Sequence, residues 1–207
     1  NLKQEFGPEA DVGFKEQGYL ILASEAGLDV LQENHATQLA CGANNMLLDA
    51  AGLKARFPYL NTEAIAAGCF GTSGEGWLDP YGLMSLFRRA ALTKGVELIV
   101  GIVLDLRQNR SRVSSVVLDT GEEIGCGELV NAAGAGAGAL AAMAGLDLPV
   151  GPRKRYVYVL DCPSATEALH LSPLTIDPLG VYVRPEGRHF ICGLAPEKHD
   201  DPAVIDW

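Results

Sequence analysis

The run Ala132-Ala-Gly-Ala-Gly-Ala-Gly138 constrains this chain more than any other seven residues in it. It follows the apolar stretch Leu129-Val130-Asn131, which reads as a short strand, and it opens a helix over 139–144 that Gly145 stops after about two turns. A strand, a glycine turn and a helix in succession put bare backbone N–H groups at a helix N-terminus, the arrangement that receives a pyrophosphate in dinucleotide-binding folds. Two features weigh against Gly134-x-Gly136-x-Gly138 as a primary fingerprint of that kind. The helix is too short for a usual crossover, and no acidic residue stands at the end of a second strand roughly 20 positions on. The turn therefore reads as close-approach backbone touching a cofactor held mainly elsewhere, with tight helix–strand packing as the alternative.

Helix starts are the next clearest signal. Asp79-Pro80 pairs an N-cap carboxylate with a proline at the first helical position, where its missing N–H costs nothing. Leu83, Leu86, Phe87, Ala90 and Ala91 then recur at threes and fours up to Gly95, so one face of this helix is buried. Asp49 caps a shorter helix over 50–56 that Phe57-Pro58 stops, and Leu28, Leu31, Ala36 and Leu39 predict another over 28–39. Strands are expected at 18–23, 46–48, 67–70, 96–106 and 129–131, with a hairpin from 113–118 into 122–127. Beyond Pro149 the pattern is all strand, at 155–161, 174–177, 181–184 and 189–193.

With 48% hydrophobic and 20% charged residues, the 207-residue chain is long enough to bury a core as one large or two small domains. No apolar run approaches the roughly 20 residues of a membrane helix. A net charge of −10 argues against nucleic acid or an anionic membrane as partner. The five cysteines stand far apart with no C-x-x-C pair, and read as reduced, mostly buried thiols of a reducing intracellular compartment. No metal is expected, because His35, His170, His189 and His199 fall in no ligand spacing, and no serine sits in a G-x-S-x-G elbow.

Two strand patterns carry candidate binding groups. Tyr156 and Tyr158 share one face of the strand that follows Arg153-Lys154-Arg155, and Tyr182 and Arg184 share one face of another. Where those faces meet they form a polar floor on which Arg184 holds a carboxylate bidentately. The plainer reading is a solvated sheet face. Trp77, between Gly76 and Leu78, is either a core anchor or a lid over a ligand.

From Gly18 almost to the end, the order of motifs resembles the FAD-dependent amine and amino-acid oxidoreductases, the superfamily of sarcosine oxidase, glycine oxidase and D-amino-acid oxidase. The matching residues are Gly18-Tyr-Leu-Ile-Leu-Ala23, Phe57-Pro58, Gly76-Trp-Leu-Asp-Pro80, Gly95-Val96, Val130-Asn-Ala-Ala-Gly-Ala135, Leu148-Pro149 and Tyr182-Val-Arg-Pro-Glu-Gly187. Within that superfamily, Glu75-Gly-Trp-Leu-Asp-Pro80 and Pro152-Arg-Lys-Arg-Tyr-Val-Tyr-Val159 look most like the FAD-dependent oxidoreductase domain-containing proteins linked to respiratory complex I assembly. Where relatives often have Gly-Ala-Trp, this chain has Gly134-Ala135-Gly136.

The resemblance implies an α+β fold: the central part of a two-domain FAD-dependent oxidoreductase, with a partial FAD-binding domain at 67–148 interleaved with an antiparallel-sheet substrate domain at 1–66 and 149–207. Residues before about 66 are then expected to pack with the strands after Pro149 and not with the 79–95 helix. FAD contacts are implied at Val103 and at Ala132, Ala133, Gly134 and Ala135, and a substrate side at Tyr158, Tyr182 and Arg184. The implied activity of the full-length protein is oxidation of a small-molecule amine or amino acid by hydride transfer to flavin. A catalytically silent flavoprotein-like assembly factor or binding module is the alternative. The family's Gly-x-Gly-x-x-Gly segment is expected before Asn1 and a glycine-rich flavin segment after Trp207. This stretch alone is then expected to be inactive and without stoichiometric FAD, and to form a homodimer through the apolar surface those segments would cover. The implied compartment is the cytoplasm in a bacterium, or the matrix side of the mitochondrion in a eukaryote.

Overall fold

A computed structural model describes residues 2–201. The chain forms two compact units, Asn1–Lys94 with Arg155–Ala195, and Gly95–Lys154 with Pro196–Trp207. The first unit opens with α1 (Leu2–Phe6), β1 (Tyr19–Ala23), α2 (Leu28–Ala40), β2 (Asn45–Asp49), α3 (Ala50–Arg56), β3 (Ala67–Gly71) and α4 (Pro80–Thr93). The second unit contains β4 (Val103–Asn109), β5 (Arg112–Leu118), β6 (Glu123–Gly125) and α5 (Ala137–Met143). The chain then returns to the first unit with β7 (Tyr158–Leu160), α6 (Glu167–His170), β8 (Leu174–Ile176), β9 (Tyr182–Glu186) and β10 (His189–Gly193).

In the first unit seven strands form one sheet in the order β2-β3-β1-β8-β9-β10-β7. Every neighbouring pair is antiparallel except β1 and β8, which run parallel. The expected antiparallel sheet is thus a mixed one. A parallel pair needs a long crossover between its strands, and the excursion through the second unit supplies it. Leu20, Leu22 and Phe70 on one face pack with Leu53 of α3 and with Phe57, and Leu20 and Leu53 are 0% exposed. On the other face Ala23, Ala67 and Cys69 pack with Leu31 of α2. The helix starts fall where the sequence puts them: Asp49 Oδ1 accepts from Gly52 N at 2.7 Å, and Asp79 Oδ1 from Tyr81 N at 3.0 Å.

Two expectations about organisation need correction. The change of domain expected at residue 67 falls at 95, because β3 sits between β1 and β2 and is buried at all of its positions. The first residues do pack with the strands after Pro149, through β1 and β8, but they also pack with α4. Ala10, Val12 and Leu86 form a buried cluster there, and the Phe6 and Phe87 rings meet edge to face at 4.9 Å.

In the second unit β4, β5 and β6 make a three-stranded antiparallel sheet in which Leu106, Ser115 and Leu118 are buried. The expected strand over 96–106 begins only at Val103, and 129–131 forms no strand. Residues 96–102 and 129–131 are β-prone, yet neither stretch has a ladder partner among the described residues, and Val100 and Val130 stand 91% and 86% exposed.

Candidate functional site

The first unit has a cleft of about 580 Å³ beside the β9 end that carries Arg184. Lys15 and Trp77 form one wall through a backbone bridge, Lys15 N donating to Trp77 O at 2.7 Å and Trp77 N to Lys15 O at 3.2 Å. Against this wall the Arg184 guanidinium carbon lies 4.9 Å from the centre of the Trp77 ring. Arg184 Nη1 donates to Pro185 O at 2.9 Å and to the Glu186 carboxylate. Its side chain is only 16% exposed. At the far side Gln17 Nε2 donates to His170 O at 3.2 Å, and the His170 ring stacks on Phe190 at 4.9 Å. Trp77 is therefore the platform beneath Arg184.

The register separates the three residues expected on the substrate side. Tyr182 pairs with Gly193, and Arg184 with Ile191 and through it Val159, so Tyr182 and Arg184 share a face. Tyr158 pairs with Cys192 and through it Val183, which puts it on the opposite face. The polar floor expected from both strands is not assembled. Of the three, Arg184 alone lines the cleft. The Tyr182 ring lies over Gly193, where a β-carbon would stand 2.5 Å from its hydroxyl. Tyr158 is exposed on the edge strand beside Tyr156. Lys15, Gln17, His170 and Glu186 were not among the expected residues. Glu186 had a signal, since residues two apart on a strand share a face with Arg184.

In the second unit Val103 opens β4, and Ala132, Ala133, Gly134 and Ala135 lie exposed ahead of α5. Gly134 has φ +55°, and nothing lies within 4 Å of where its β-carbon would be. This open, side-chain-poor turn fits a cofactor that approaches the backbone. Gly138 serves another purpose, because a β-carbon there would lie 2.1 Å from Val150 O. The turn is fixed by Asn131, whose Oδ1 accepts from Ala133 N at 3.2 Å and whose Nδ2 donates to Ala137 O at 2.9 Å. An asparagine bonding the backbone two residues on is a turn signal readable in sequence. Among the described residues no group of three His, Cys, Asp or Glu side chains is placed to hold a metal ion, and no helix is long and apolar enough to cross a membrane.

The family described as DAO, FAD dependent oxidoreductase, matches over residues 1–207. The FAD-dependent oxidoreductase domain-containing protein 1 of Xenopus laevis is 35% identical over 225 residues, covering 94% of this chain and 45% of that protein. The Bos taurus protein of the same name is 33% identical, with 94% and 46% covered. The chain thus spans about half the length of these relatives. L-proline dehydrogenase from P. horikoshii shares the fold, with a TM-score of 0.78 at 22% identity over 95% of this chain and 53% of that one. Glycine oxidase from Geobacillus kaustophilus superposes with a TM-score of 0.71 at 27% identity, over 94% and 50%. The chain belongs to the DAO family of FAD-dependent oxidoreductases.

Proposed function

We propose that the whole protein oxidises a small amine that carries a carboxylate, an amino acid or N-substituted amino acid. The observation that carries this reading is the family match along residues 1–207. FAD, when bound, supplies the redox chemistry by accepting a hydride from the carbon beside the nitrogen. Val103 and the 132–135 turn are the residues of this chain that would hold it, through backbone groups the turn leaves open. The names of the two structural relatives support the substrate class, since glycine and L-proline are both amines with a carboxylate on the neighbouring carbon.

Arg184 is the residue suited to that carboxylate. Glu186 and Pro185 occupy Nη1, while Nε and Nη2 have no hydrogen-bond partner among the described residues. Those two nitrogens present parallel N–H bonds matched to the two oxygens of a carboxylate. Trp77 holds the guanidinium plane from one side, so little side-chain freedom is lost when the anion arrives. Tyr182 shares that face, but its ring covers Gly193 outside the cleft, so on the substrate side the reading rests on Arg184 alone.

The test is anaerobic mixing of the whole flavoprotein with a panel of D-, L- and N-methyl amino acids, followed by flavin absorbance. Bleaching by at least one member is expected. A protein that binds FAD and is bleached by none would support the second reading, a catalytically silent flavoprotein-like assembly factor.

A further inference from the structure

The sheet face that carries Arg184 continues across β1, β3 and β2, where a second hollow of about 370 Å³ opens. Its floor is Tyr19, Ile21, Cys69, Gly71 and Asn45, and its walls include Gln38 of α2 and Glu75. Several hydrogen-bonding side chains converge here, and one acceptor among them is left without a donor. Gln38 Oε1 accepts from Asn45 Nδ2 and from the Cys69 thiol, whose sulfur is 3.8 Å away. Asn45 Oδ1 is buried and has no hydrogen-bond partner among the described residues. A buried acceptor left unmatched costs about 1–3 kcal/mol, so the position favours an incoming donor.

Glu75 adds the charge. Its carboxylate folds over Gly71 so closely that a β-carbon there would lie 1.9 Å from one oxygen. Among the described residues it makes no side-chain hydrogen bond or ion pair. None of the lining residues is Lys or Arg. The Cys69 thiol is held above its usual pKa first by burial and second by the Glu75 charge, which places that carboxylate beside the floor. Phe14 among the walls and Tyr19 on the floor are 46% and 36% exposed and supply aromatic surface that a cation favours.

We infer that this hollow binds the ammonium group of a small organic cation, with Glu75 as counter-charge and Asn45 Oδ1 accepting one of its N–H bonds. An ammonium group has three donors and no acceptor, which suits the unpaired Glu75 carboxylate and the unmatched Asn45 Oδ1. The inference needs neither FAD nor a carboxylate on Arg184, so it stands or falls apart from the flavin test.

The experiment titrates n-butylammonium chloride into the full chain and follows the backbone amide signals of Gly71, Gly74, Glu75 and Gly76. Saturable shifts confined to these residues and their neighbours are expected. Butyltrimethylammonium chloride, with the same charge and no N–H, is expected to bind about tenfold more weakly. Glu75→Gln is expected to weaken n-butylammonium binding by about tenfold or more. If Glu75→Gln lacks the wild-type circular dichroism spectrum, Gly71→Ala replaces it, because its β-carbon displaces the carboxylate. Shifts that do not saturate, equal binding of the two cations, or undiminished binding by the folded variant would overturn the assignment.

Discussion

The Arg184 guanidinium lies 4.9 Å from the centre of the Trp77 ring, joining β9 to the segment just before α4 within one unit of the chain. The arginine is mostly shielded, at 16% exposure, while its ion-pair partner Glu186 is 55% exposed. Stacking therefore holds the guanidinium more firmly than the surface ion pair does. A double-mutant cycle of Trp77→Ala and Arg184→Gln, read by urea unfolding, should give a coupling of about 0.5–2 kcal/mol. A cycle of Arg184→Gln and Glu186→Gln should give less, and the difference should grow with added salt. Equal couplings would show that Trp77 merely neighbours the arginine.

The two capping aspartates make a simpler prediction. Asp49→Ala and Asp79→Ala should each lower stability by about 1 kcal/mol, the usual cost of a lost N-cap. Asn substitutions at the same sites should recover most of it, because the amide oxygen caps as well. Chemical denaturation of the four variants reads this directly.

Gly134 and Gly138 sit four residues apart and should answer substitution differently. Gly134→Ala meets no neighbouring atom but must hold φ at +55°, a cost of about 1–2 kcal/mol. Gly138→Ala would drive its β-carbon to 2.1 Å from Val150 O and to 3.0 Å from Leu148 O, neither of which is the end of a flexible side chain. It should destabilise by more than Gly134→Ala, with hydrogen exchange accelerated in α5. The reverse order would mean that the 148–150 segment does not pack on this helix.

Burial, with the Glu75 carboxylate second, raises the Cys69 thiol above its ordinary pKa. The folded chain therefore keeps the thiol neutral at pH values where the unfolded chain has ionised it. The resulting stability is whole below the unfolded pKa, about 8.5, and is lost as pH rises through the folded value. Urea midpoints should fall above about pH 8.5, and Cys69→Ala should make that fall shallower. Alkylation at pH 8 should reach the exposed Cys41 well before Cys69. An alkaline slope unchanged by Cys69→Ala would contradict this.

How far the sequence could be read follows from which interactions are local. Asp49, Asp79-Pro80 and the glycine stops act within a turn of their own helix, and the helices begin and end beside them. The strand at 19–23 was likewise legible as a short apolar run bounded by glycine and serine, and the hairpin of β5 and β6 from its Thr120-Gly121 turn. Residues 96–102 and 129–131 have the same β-prone composition, but a strand exists only with a partner for its ladder. The site was legible in part. Arg184 and Tyr182 were correctly placed on one face because they lie two apart on one strand. Tyr158 was grouped with them, yet its face depends on how β7 registers against β10, and a one-residue shift turns every side chain over. The meeting of Arg184 with Trp77, and of Ala10 with Leu86, depends on tertiary packing that no local period reports.

The central claim is that Arg184 selects an amine by its carboxylate. The direct measurement is the anaerobic rate of flavin reduction in the whole protein with sarcosine and with dimethylamine, which lacks only that group. It is made in wild type and in Arg184→Gln. Wild type should prefer sarcosine by about a hundredfold, the value of a charge-assisted pair, and the variant should lose most of that preference. Equal rates for the two amines in wild type, or a preference undiminished in Arg184→Gln, would contradict the account.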